Sequence, residues 1–164
     1  MITGNEMRNM GNDIMRELMQ ALGRQCHDGG SVNQACKDSI TQIGVYRYVY
    51  NVYQPTVYGR RYAGGGLADE DNLMTTTSAG RNSVTIDIED RTPAGDSGMR
   101  NPPPDPVFYL SDVIEAGVEG AKWQDPDWPG ARPYMEPSLQ DGCSTGGRID
   151  NAINAIFQNL ILRA

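Results

Sequence analysis

Two helical periods that meet at a pair of glycines constrain this 164-residue chain most. Met7, Met10, Ile14, Leu18 and Leu22 recur at intervals of three and four, the repeat of an amphipathic helix, and Met15 and Met19 widen the stripe. Thr3 and Glu6 stand three apart just ahead of it, the spacing of a capping box. Gly11 weakens one turn without breaking it. The glycines of "HDGG" at 27–30 predict the stop. Ser31 with Gln34 repeats the start signal, and Val32, Cys36, Ile40 and Ile43 form a second apolar face. Two helices joined by so short a link predict an α-hairpin.

The following segment, "VYRYVYNVY" at 45–53, carries two periods at once. Alternating tyrosines at 46, 48 and 50 read as a strand. Ile43, Tyr46, Tyr50 and Tyr53 equally continue the helical stripe. No turn separates them from the preceding helix, so helix is the preferred reading, and Pro55 ends it. Beyond "GGG" at 64–66 the period changes to two. Val84, Ile86 and Ile88 alternate with Thr85, Asp87 and Glu89, a strand with one dry and one wet face, and the threonines at 75–77 suit its partner.

Residues 91–106 contain five prolines and two glycines and predict a long loop. A short helix follows, from about Pro106 to Ala116, with Val107, Leu110 and Ile114 on one side. Both tryptophans lie in an irregular stretch, 123–137. Ile149, Ile153, Ile156, Phe157, Leu160 and Ile161 then give a last helix over 147–162 a broad apolar face. The expectation is one α+β domain, 1–164, with helices packed on a small antiparallel sheet. It comprises a helical hairpin over 4–54, a sheet region over 67–92 and a loop-rich C-terminal part.

Charge narrows the function. Residues 1–62 hold seven basic and five acidic residues, and the remainder holds seven basic and sixteen acidic, which together give the net −7. That balance argues against gripping nucleic acid through its phosphates. Composition leaves open a channel wall along which DNA slides. The N-terminus shows no apolar leader and no stretch is long enough to span a bilayer, so synthesis in a reducing cytosol is expected. Cys26, Cys36 and Cys143 are odd in number and widely spaced, which predicts neither a disulfide scaffold nor a zinc site. Cys26 and His27, the only histidine, are helix neighbours that point about 100° apart, a poor nucleophile–base pair. Acidic groups at Asp69, Glu70 and Asp71, at Glu89 and Asp90, and at Asp125 and Asp127 read as solvated surface. The glycines at 64–66 lack the residues of a phosphate loop. No cofactor and no catalytic residue is assigned.

Six of the eight tyrosines fall between 46 and 62, with Arg47, Arg60 and Arg61 among them. Tyrosine and arginine stabilise well-packed protein interfaces, which makes this cluster a candidate contact surface.

"VYNVYQPTVYGRRYAGGGLADEDNLM", the strand "VTIDIED", the helix end "VIEAG" at 113–117 and "RPYM" at 132–135 occur in that order over roughly 45–141. Together they resemble tail-completion proteins of long-tailed bacteriophages, the head–tail joining or neck family also called minor capsid proteins. The positions carrying the resemblance are Val52, Tyr53, Pro55, Tyr58, Arg60, Arg61, Gly66, Leu67, Asp69, Glu115, Gly117, Arg132, Pro133 and Tyr134. "ADEDNL" at 68–73, the long "AGDSGMRNPPPDP" insertion at 94–106 and Ala116, where a more polar residue is expected, depart from it. The resemblance implies a non-enzymatic virion subunit that forms a ring, usually a hexamer, between the head-side connector and the tail tube, with a channel for the genome. A tail terminator or head-closure adaptor is the alternative within the same particle, and a small hydrolase using the loop carboxylates is a third reading. Tyr53, Tyr58, Arg60, Arg61, Tyr62, Arg132, Tyr134, Ile153 and Phe157 are then the expected interface, and Asp69, Glu70, Asp71, Asp87 and Glu89 the expected channel-facing carboxylates.

Overall fold

The computed structural model describes residues 3–52, 54, 64–80, 82–93, 109–116 and 132–162. It is an α+β arrangement in which helices pack against a two-stranded antiparallel sheet. Helix α1 (Gly4–Cys26) opens on the expected capping box: the Glu6 N–H donates to Thr3 Oγ1 at 3.3 Å and the Thr3 N–H to Glu6 Oε2 at 2.7 Å. The chain turns at Gly29, whose φ of 78° is costly for any residue with a Cβ. Helix α2 (Ser31–Asp38) does not begin on the expected Ser31–Gln34 box. Its N-cap is Gly30, and the Ser31 N–H is satisfied by Gln25 Oε1, 3.0 Å away on α1. Gln34 instead donates to Asp38 and Glu70.

From Ser39 to Tyr50 the helix continues as a π-helix. The hydroxyls of Ser39 and Thr41 donate to carbonyls four residues back, at 2.7 and 2.9 Å. Such bonds compete with the ordinary backbone ladder and favour the wider winding. The tyrosines at 46, 48 and 50 are therefore helical, as the missing turn suggested.

A single 3₁₀ turn (Glu70–Asn72) leads into strand β1 (Leu73–Ala79), paired with β2 (Val84–Asp90) so that Thr75 faces Ile88 and Thr77 faces Ile86. Helices α3 (Leu110–Ala116), α4 (Met135–Cys143) and α5 (Arg148–Ile161) complete the described chain. Helix α4 occupies part of what the sequence reads as irregular. Pro137 stands in its first turn, where a missing N–H costs nothing. Its leading N–H groups are capped from elsewhere: those of Tyr134 and Met135 donate to Glu115 Oε1 at 2.9 and 2.8 Å.

Two apolar clusters share Ile88 and Leu139. One joins Ala21, Cys26, Val32, Cys36, Ile149 and Ile156 to the inner sheet face of Val84 and Ile86. The other gathers Ile40, Val45, Val49, Leu67, Leu73, Ile114 and Tyr134. The π-helix and α4 approach closely through small residues. A Cβ added at Gly44 would lie 1.5 Å from Ser138 Oγ, and one at Gly142 would lie 2.6 Å from Ser39 Oγ. Among the described residues, helix α1 joins the apolar clusters only through its second half. From Thr3 to Glu17 every residue is exposed, including Met7 (61%) and Ile14 (61%).

Candidate functional site

The most elaborate polar constellation lies where β2, α3 and α4 converge. Asp90 occupies the next inward position after Val84, Ile86 and Ile88, and is 4% exposed. Its Oδ1 accepts from the Thr92 N–H at 2.8 Å and the Thr92 hydroxyl at 2.6 Å. Its Oδ2 accepts from the Tyr134 hydroxyl at 2.5 Å, while its carbonyl accepts from the Ser111 hydroxyl at 2.6 Å. Tyr134 is completely buried, and burial, reinforced by the neighbouring Asp90 carboxylate, pushes its phenol far above the usual range. The phenol thus keeps its proton, and both side-chain oxygens of Asp90 already accept hydrogen bonds. The arrangement ties three elements together.

Arg132, expected at an interface together with Tyr134, is also buried, and its backbone N–H donates to the Ile114 carbonyl at 2.7 Å. Both motif residues are therefore buried, Tyr134 in the second apolar cluster. Tyr53, Tyr58, Arg60, Arg61 and Tyr62 lie outside the described residues. Of the 46–62 cluster, Tyr46, Tyr48 and Tyr50 are described, and all three lie on the π-helix. Tyr48 and Arg47 both donate to Asp141 Oδ2 on α4, at 2.7 and 2.8 Å. That bond to Asp141 raises the Tyr48 phenol. Tyr46 and Tyr50 meet edge to face with centroids 5.1 Å apart.

Of the remaining expected contact residues, Ile153 packs half-buried against the first cluster and Phe157 is exposed. The five carboxylates do not share one setting. Asp69 turns onto backbone, accepting from the Gly65 N–H at 2.6 Å and the Asp71 N–H at 3.2 Å, as an N-cap does. Glu70 accepts from Gln34 at 2.7 Å, and Asp71 is exposed. Asp87 and Glu89 stand on the outer sheet face, with Glu89 paired to Arg91 at 2.7 Å.

Among the described residues no three metal-ligating side chains converge. Cys26 and Cys36 are buried free thiols and Cys143 is exposed. Burial, helped by Cys143 and Cys26, pushes the Cys36 thiol up to about 11, the opposite of what a nucleophile needs. Exposed His27 caps the end of α1.

The surface that the sequence pointed to without revealing its exposure is the first half of α1. Met7, Met10, Ile14 and Met15 are all exposed, and so are Ile161 (74%) and Leu162 (84%) at the end of α5. Large apolar side chains gathered on one exposed helix mark a contact surface more often than a reaction centre.

Fold and surface together define a small α+β protein with a hydrogen-bonded polar centre and, among the described residues, an exposed apolar stripe on the first half of α1. The chain belongs to the YomN family, whose model matches residues 6–158. No curated protein and no solved structure matches it.

Proposed function

We propose that this chain is a structural, non-enzymatic subunit that works by assembling with copies of itself, and that its place is the neck of a long-tailed phage particle. There it forms a ring, a hexamer by the resemblance, between the head-side connector and the tail tube, and leaves a channel through which DNA passes without sequence-specific contacts. One observation carries the assembling role: half of the longest helix presents Met7, Met10 and Ile14 to solvent while its other half is packed into the core. The neck location rests on the ordered motifs between 45 and 141. The acidic outer sheet face with Asp87 and Glu89 suits a wall that repels a DNA backbone.

Light scattering on the purified chain measures the first part, with a closed oligomer expected at micromolar concentration. Imaging of particles from a producing host locates the second, with density for this chain expected at the head–tail junction. A stable monomer that is absent from the particle neck removes the reading. Density at the tail end of the junction would instead favour the terminator, and at its head end the closure adaptor.

A further inference from the structure

Helices α1 and α4 end in the same way. His27 and Ser144 follow them in extended backbone, with φ −67° and ψ 162° at one and φ −65° and ψ 156° at the other. Two residues on, Gly29 and Gly146 share a φ of 78°. Gly30 and Gly147 then cap α2 and α5, their N–H groups donating to the carbonyls of His27 at 2.8 Å and Ser144 at 2.7 Å. Neither cap has room for a side chain. A Cβ at Gly30 would lie 2.3 Å from the Gln25 carbonyl oxygen, and one at Gly147 would lie 2.3 Å from that of Gly142. Each pair is 117 residues apart, and the likeness runs past the turn at the same spacing. Leu22, Cys26 and Ala35 recur as Leu139, Cys143 and Ala152, and Val32 as Ile149. A shared turn would need the glycines alone, and sets nothing at Leu22 and Leu139 before it or at Ala35 and Ala152 beyond it.

Burial follows the same spacing. Ala21, Val32 and Ser39 are buried, and so are Ser138, Ile149 and Ile156. The two stretches also meet through matching positions. Leu22, Val32, Ala35 and Cys36 join one apolar cluster with their counterparts Leu139, Ile149, Ala152 and Ile153. A two-fold contact is reciprocal: if residue i meets j, the copy of j meets the copy of i. Here a Cβ at Gly142 of α4 would touch Ser39, and the counterparts of that pair, Gln25 on α1 and Ile156 on α5, line one crevice. We infer that the helical body is an internal duplication: one helix–turn–helix unit occurs twice, at 18–43 and 135–160, and the two copies pair about an approximate two-fold axis. This goes beyond the assembling role and does not depend on it. The strands and α3 lie in the connection between the copies. Helix α4 starts at Met135, the counterpart of Leu18. The exposed Thr3–Glu17 portion of α1 therefore has no counterpart in α4. It is an addition to the first copy, which accounts for its place outside both apolar clusters.

The test transplants the turn within the full chain. Residues 144–151 take the side chains of 27–34, which changes Ser144→His, Thr145→Asp, Arg148→Ser, Ile149→Val, Asp150→Asn and Asn151→Gln and keeps both glycines. The variant is expected to melt in one cooperative step, lowered by no more than about 6 °C, the loss from one methyl group at buried Ile149. The same eight side chains set one position later, at 145–152, put an aspartate at the left-handed site of Gly146 and should abolish the cooperative melt. Gly30→Ala and Gly147→Ala, made separately, should each lower the melting temperature by about 2–12 °C, because each new Cβ meets a carbonyl oxygen at the same distance. The two losses should agree within about 2 °C, the scatter of surface substitutions in a chain of this size. A transplant that loses cooperativity or falls further overturns the duplication. So does a displaced control that melts like the transplant, or a pair of glycine losses that differ by more than that scatter.

Discussion

Replacing Tyr134 by phenylalanine isolates a single hydroxyl at the centre of the subunit. The ring remains and only the donor to Asp90 Oδ2, 2.5 Å away, is removed. Thr92 occupies the other carboxylate oxygen, and at 4% exposure water cannot replace the lost bond. Hydrogen bonds to charged groups contribute about 1.5–3 kcal/mol, and a buried site lies in the upper half of that range. A loss of about 2–3 kcal/mol is expected, a lowering of the melting temperature by about 4–12 °C for a chain of this size. Urea titration followed by circular dichroism measures it. Asp90→Asn removes the charge that needs the donor, so Tyr134→Phe should cost less in that background.

The pH dependence supplies an independent check. Burial and Asp90 raise the Tyr134 phenol, so above pH 10 the unfolded chain releases a proton that the folded chain keeps. The unfolded state then binds fewer protons, and stability falls by about 1.4 kcal/mol per pH unit. The phenylalanine variant lacks this decline, so the gap between the two proteins should narrow from pH 10 upward. A variant within 0.5 kcal/mol of the parent at pH 7 (about the scatter of surface substitutions), with a gap that stays constant on raising the pH, would refute the role given to Tyr134.

Three further outcomes follow from the packing. Gly44→Ala places a Cβ 1.5 Å from Ser138 Oγ and 2.5 Å from its Cβ, and should destabilise by about 1–3 kcal/mol despite alanine's better helix propensity. Adding Ser138→Gly, which removes both clashing atoms, should restore most of the loss in the same urea titration. Cys36, pushed up to about 11 chiefly by burial, keeps its proton when folded, so stability should fall between pH 9 and 11 by up to about 2 kcal/mol. Cys36→Ala should flatten that window in stability measured against pH. A thiol reagent should titrate one group, Cys143, at once in the native protein, and Cys26 and Cys36 only as the chain opens.

Where the sequence was informative, the determining interactions were local. The Thr3–Glu6 cap and the alternation of β2 each depend on residues within a few positions, and both form as read. The same alternation placed Asp90 on the dry side, although reading it as half of a surface pair with Glu89 concealed this. Long-range interactions were hidden. Helix α4 begins because Glu115, some twenty residues earlier, accepts from its first N–H groups, and α2 is capped by Gln25 rather than its own Ser31. Periodicity also identified which side of α1 is apolar, but not how far along its length that side is covered. Met7 and Leu22 belong to one stripe, yet Met7 is solvated and Leu22 packs against the core.

That contrast has a physical basis in how the subunit is joined. The π-helix and α4 interlock at two points, Gly44 against Ser138 and Gly142 against Ser39, so neither can slide without a steric clash. Helix α4 is anchored at its start by Glu115, and Tyr134 at that start is bonded to Asp90. Asp90 in turn ends the strand whose inner face rests on the α1–α2–α5 cluster. Each link depends on the one before it, and the chain of links ends at Ala21 and Leu22 on α1. Nothing in it involves Met7, Met10 or Ile14. A body that completes its own core without these side chains leaves them free to differ in role from Leu18 onward, where the same stripe is used for folding. Among the described residues the first half of α1 therefore lies outside the packed core, while its second half closes the chain of links.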